Sequence, residues 1–102
     1  MINTEYHYMV DFRLPEVLPQ DFMDLVPFQR MAVNKLFEEG KLVNYALSLE
    51  NLKLWAIFSA NSELEVMDLI SDLPLTPYMK VEINLLTFYN DMPTDVPKFS
   101  MN

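Results

Sequence analysis

His7 is the one histidine of the chain, and an imidazole with an ordinary pKa of about 6.5 is the ready acid–base group at neutral pH. Asp11 shares its face of an alternating segment, but four residues of strand rise separate the two by roughly 13 Å. They cannot act in direct contact, and a solvent-facing or core-edge histidine is the alternative reading. Gln29 falls on the apolar stripe of Val26, Val33 and Leu36, where an amide without partners costs about 1–3 kcal/mol. It lines a pocket if its partner is a ligand. Otherwise it satisfies a backbone group near Pro27, since a proline leaves the carbonyl one turn back without a donor. Arg30, about 100° further round the helix, can hold a carboxylate bidentately or pair with an acid in solvent. Asn44 and Tyr45, of opposite strand parity, can each present a polar group to an apolar cavity or be ordinary sheet positions.

Other chemistries are excluded by what the chain lacks. It has no Cys, hence no disulfide framework, thiolate metal site or thiol nucleophile, and a lone His is a poor nucleus for a metal. Its single Gly cannot build a phosphate-cradling loop, so neither a metal nor a cofactor is expected. Fifteen Asp and Glu against seven Lys and Arg give a net charge of −8, which repels nucleic acid and anionic membranes. Glu63, Glu65, Asp68 and Asp72 read as a solvated helix face. Trp55 and the eight Met read as packing. No apolar stretch approaches the roughly 18 residues of a spanning helix, and Met1-Ile2-Asn3-Thr4-Glu5 lacks the basic patch and apolar run of a signal peptide. A soluble cytoplasmic protein is expected.

The elements that must hold these groups follow from hydrophobic spacing. At 102 residues with 51% hydrophobic side chains, one domain with a real core is expected. Tyr6 to Arg13 alternates with period two, Tyr6, Tyr8, Val10 and Phe12 against His7, Met9, Asp11 and Arg13, and ends at Leu14-Pro15. From Pro19 to Glu39 the period is helical through Phe22, Leu25, Val26, Val33, Leu36 and Phe37. Pro19 suits the first helical position, Asp21 and Asp24 suit the positive end, and Gly40 suits the left-handed residue after the last turn. Pro27 predicts a kink or a break. Leu42–Leu49 and Leu52–Ser59 read as antiparallel strands joined at Glu50-Asn51. Ser62 with Glu65 is a capping-box signature that opens a short helix carrying Leu64, Met67, Leu69 and Ile70. Tyr78 to Tyr89 reads as the last strand, with Tyr78 and Met79 beginning it.

The order βαββαβ predicts an α+β fold of ferredoxin-like type, a four-stranded antiparallel sheet with two helices on one face, over residues 1–90, with 91–102 as a C-terminal tail. Apolar residues on both strand parities predict that a second copy covers the other face.

The stretch from His7 to Leu14-Pro15, then Glu39-Gly40, Leu73-Pro74-Leu75-Thr76-Pro77-Tyr78-Met79 and Val81-Glu82, falls at separations that resemble those of the muconolactone isomerases, over roughly residues 6 to 90. The proline-rich segment carries most of the resemblance. It implies subunits that pair as dimeric α+β barrels and often assemble further. It also implies a proton shift that moves a double bond within an unsaturated lactone during aromatic-compound breakdown. Such a shift needs a base beside a carbonyl and a donor or cation for the enolate-like oxygen. Counting from the shared motifs puts Met9 and Gln29 where the family carries a lysine and a glutamate, and neither is a base. Leu42 to Leu47 is likewise blander than the family's Arg-, His- and Trp-rich second strand.

The expected protein is therefore isomerase-like, acting on a small lactone or carboxylated cyclic compound. The alternative is a non-catalytic small-molecule-binding or structural oligomeric member of the same fold. His7, Gln29 and Arg30 are the candidates for a catalytic role, and Met9, Asn44, Tyr45 and Tyr78 for ligand contact. The expected partners are a second copy of the chain and a small molecule.

Overall fold

The computed structural model describes residues 5–90. The alternating segment becomes strand β1 (Tyr6–Arg13), followed by helix α1 (Gln20–Glu38), strands β2 (Leu42–Ser48) and β3 (Lys53–Ala60), helix α2 (Glu63–Ser71), a 3-10 turn (Thr76–Tyr78) and strand β4 (Lys80–Leu85). The sheet runs in the order β2-β3-β1-β4 with every pairing antiparallel. This is the expected α+β arrangement. The expected tail lies outside the described residues.

Register decides which residues meet the helices. Tyr8, Val10 and Phe12 pair with Phe58, Ala56 and Leu54, and all six are buried with Phe22, Val33 and Leu36 of α1 and Val66 and Ile70 of α2. Both helices therefore cover one face. Burying each large side chain contributes about 1.5–3 kcal/mol, and Phe12 and Phe58 sit fully inside. The other parity, His7, Met9, Asp11, Trp55 and Ile57, forms a second face that neither α1 nor α2 covers.

Several details depart from the spacing. α1 runs unbroken through Pro27, because Pro27 and Met23 are both exposed and the carbonyl freed by the proline is open to water. Pro19 is the N-cap rather than the first helical residue. The hairpin turn takes four residues, not two: Leu52 adopts φ 54°, and the turn is closed by Leu52 N–H to Leu49 O at 3.3 Å and Asn51 N–H to Ser48 Oγ at 3.2 Å. In α2 the buried face is Val66 and Ile70, while Leu64 and Met67 point outward. Tyr78 does not begin the last strand. Pro77 has no ladder donor and a fixed φ, so the chain turns once, with Tyr78 N–H on Leu75 O and Met79 N–H on Thr76 O, each at 3.0 Å. The last strand also stops at Leu85 rather than Tyr89, and one more bond, Leu86 N–H to His7 O at 2.9 Å, follows it.

Candidate functional site

Between α1 and the β2 side of the sheet lies a cavity of about 520 Å³, a size common for small-molecule sites. α1 supplies one long face to it: Phe22, Met23, Val26, Gln29, Arg30, Val33, Asn34 and Phe37 recur at three and four residues. Tyr45, Leu47 and Leu54 line the sheet side, and Leu75 and Met79 come from the turn segment. Met23, Phe37, Leu47 and Leu49 are exposed at the rim, so the entrance is apolar.

A β-bulge sets the orientation of Tyr45. Leu42 pairs with Phe58 but Asn44 pairs with Ile57, so Val43 is the extra residue and the parity of β2 reverses there. Leu42 and Tyr45 consequently share the helix-covered face, and Asn44 turns to the open one. Simple alternation from Leu42 puts Asn44 on the Leu42 side, and the bulge corrects it.

Gln29 is 4% exposed and fully engaged. Its Oε1 accepts from the Leu75 backbone N–H at 3.0 Å, and its Nε2 donates to the Tyr45 hydroxyl oxygen at 3.0 Å. The backbone group it serves lies on the turn segment, not beside Pro27. Because Leu75 N–H can only donate, the amide has one orientation, and the Tyr45 oxygen must act as acceptor. The Tyr45 O–H has no acceptor among the described residues, so it is available to a ligand oxygen in the cavity. Burial raises the Tyr45 pKa above 10.0, with the Gln29 hydrogen bond pulling weakly the other way. At neutral pH this phenol is a donor and not a base.

Arg30 lines the same cavity and forms no ion pair with a described residue. Gln29, Arg30 and Tyr45 are thus brought together, joined by Asn34. Asn34 stands four residues after Arg30 on one helix face, and that spacing is the signal that could have found it. Among the described residues no carboxylate, imidazole or ammonium lines the cavity.

The remaining candidates lie elsewhere. Met9 faces the open side of the sheet with Asn44, on either side of Ile57. Besides its sheet pairing, the Met9 backbone oxygen accepts from Asn84 Nδ2 at 3.3 Å. His7 is also on the open side, its ring 4.8 Å from that of Tyr89. Tyr78 packs edge-on against Phe22 at 5.7 Å and donates to Asp21 Oδ2 at 3.3 Å. Burial first, then the charge and hydrogen bond of Asp21, raise its pKa. Tyr78 lines a separate cleft with Arg13 and Lys80. No group of three or more His, Cys, Asp or Glu among the described residues could hold a metal, and no described helix is long and apolar enough to cross a membrane.

Sheet order, helix placement and the cavity under α1 define a ferredoxin-like α+β protein with room for a small molecule between helix and sheet. More narrowly, the chain belongs to the muconolactone delta-isomerase family, whose model matches residues 4–91. It superposes on a crystal structure of muconolactone isomerase with a TM-score of 0.67 at 21% identity, over 90% of this chain and 96% of that one. At that identity the likeness is one of fold. Among curated proteins nothing matches the chain.

Proposed function

We propose that this member of the family binds a small, largely apolar cyclic compound carrying a carbonyl or carboxylate in the cavity beneath α1. The observation that carries the reading is the Gln29–Tyr45 pair: it directs one phenolic donor to a ligand oxygen beside the guanidinium of Arg30. Apolar walls would hold the ring, Tyr45 the carbonyl, and Arg30 a carboxylate.

A second reading, favoured by family membership, is a proton-shift isomerase that moves a double bond in a small lactone during aromatic-compound breakdown. Tyr45 would then stabilise the enolate-like oxygen, and the base would be a group other than the described lining side chains. The two readings part in heavy water. Purified protein is titrated with muconolactone and related lactones by amide NMR, and proton loss beside the carbonyl is followed in the same samples. Saturable shifts at Gln29, Arg30 and Tyr45 without exchange above the buffer rate support binding alone, and exchange above it establishes the isomerase. No shift with any compound defeats both.

Self-association belongs to the same proposal. The half-buried apolar Met9 and Trp55, on the face of the sheet that neither α1 nor α2 covers, support pairing with a second copy. Light scattering at micromolar concentration is expected to give a dimer or larger, and a monomer contradicts it.

A further inference from the structure

At one end of the sheet three cations stand in a row. Arg13 of β1 pairs directly with Lys53 of β3 on one side and Lys80 of β4 on the other. Cross-strand partners project to the same side, so all three charges lie on the face away from the helices. Three of the seven basic residues in a chain of net charge −8 are thus gathered where like charges oppose each other. Neighbouring acids do not resolve the repulsion. Lys53 Nζ is 3.5 Å from Asp11 Oδ2, but Arg13 and Lys80 make no ion pair with any described residue.

Two clefts flank this pair. One of about 110 Å³ is bounded by Arg13, Lys53, Lys80, Asp11 and Glu82. The other, of about 440 Å³, is walled by Arg13 and Lys80 together with Glu16, Asn51 and Tyr78, so one carboxylate also borders it. Arg13 and Lys80 are common to both, so an oxygen-bearing group seated between them is reached from either side. A planar guanidinium matches the two oxygens of a carboxylate or phosphate, and an ammonium supplies the second point of charge. Asp11 and Glu82 stand one row further in and bound the site on the inner side.

We propose that Arg13 and Lys80, flanked by Lys53, form a binding site for a small free oxyanion, a carboxylate or phosphate, separate from the cavity beneath α1. The proposal is independent of what that cavity binds.

The test uses the full chain at low ionic strength, titrated separately with inorganic phosphate and with succinate, and read by amide NMR and by thermal melting. Saturable shifts centred on Arg13, Lys53 and Lys80 are expected with at least one of the two anions, accompanied by a rise in Tm that saturates with it. Affinity should fall at least tenfold in Arg13→Gln and in Lys80→Gln and stay unchanged in Lys35→Gln, a cation in the last turn of α1. Circular dichroism confirms that each variant is folded. Without anion, either Gln variant should melt no lower than the parent, because each removes a repulsion. No saturable binding of either anion overturns the proposal, as does binding that survives in Arg13→Gln. Shifts that vanish in Arg30→Gln alone locate the anion under α1 and also overturn it.

Discussion

The Gln29 side-chain nitrogen lies 3.0 Å from the Tyr45 hydroxyl oxygen, and the other end of the same amide holds the backbone N–H of Leu75. One buried side chain thereby ties α1, β2 and the turn segment together while fixing which way a phenol donates. Its structural and ligand-directing parts are separable by substitution. Gln29→Leu leaves the Leu75 N–H buried without an acceptor, and a loss of about 1–3 kcal/mol is expected in urea denaturation. Gln29→Glu should keep that bond, but its carboxylate cannot donate to Tyr45 and would instead draw the phenolic hydrogen to itself. Smaller destabilisation with weakened ligand binding is the expected pattern. Equal losses of stability in the two variants would contradict it.

Gly40 ends α1 with φ 72°, and a Cβ added there would meet nothing within 4 Å. Any cost of Gly40→Ala is therefore conformational and not steric crowding by neighbours. About 1–2 kcal/mol is expected from the left-handed backbone, and Gly40→Asn should cost less because Asn tolerates that region. Denaturation midpoints of the two variants check the order.

At the start of α2, Ser62 Oγ accepts from Glu65 N–H at 3.1 Å, and Glu65 reaches back to the Asn61 N–H at 2.9 Å and to Lys41 Nζ at 3.3 Å. Ser62→Ala should cost about 1 kcal/mol. The Asn61 N–H, and then Lys41, hold the Glu65 carboxyl below its ordinary 4.5. A carboxyl depressed in the folded state contributes stability above 4.5 that is lost as pH falls through the folded value. Chemical denaturation from pH 6 to 3 should therefore show a shallower acid loss in Glu65→Gln than in the parent, and parallel curves would remove Glu65 from the account.

What could be read from the chain was what is decided locally. The alternation of Tyr8, Val10 and Phe12, the Ser62 cap and the left-handed Gly40 each depend on a few neighbouring residues, and each was legible. The order of elements then fixed the sheet. The site was legible only in part, because its geometry depends on non-local facts. Val43 reverses the parity of β2, which nothing in Leu42 to Leu47 announces. The backbone partner of Gln29 lies at Leu75, 46 residues on, and not at the nearby proline. Tyr78 looked like a strand residue until the Pro77 turn took it out of the ladder. Met9 falls by counting at a family position, but its parity turns it away from the cavity beneath α1.

Tyr45 itself gives the sharpest test, because its hydroxyl is assigned both a ligand and a pH dependence. Tyr45→Phe keeps the ring in the wall and removes only the donor. Ligand affinity is expected to fall about tenfold, the equivalent of one hydrogen bond of about 1.4 kcal/mol, with the apolar contacts unchanged. Burial raises the phenol above 10.0 in the folded chain. Between 10.0 and that higher value the folded state holds a proton that the unfolded state has released. Stability is accordingly full below 10.0 and falls as pH rises through the folded value. Denaturation from pH 8 to 11 should show the parent losing stability more steeply above pH 10 than Tyr45→Phe does. Superimposable slopes would mean that the hydroxyl is solvated in the folded protein, and with that the donor assigned to the cavity would be lost.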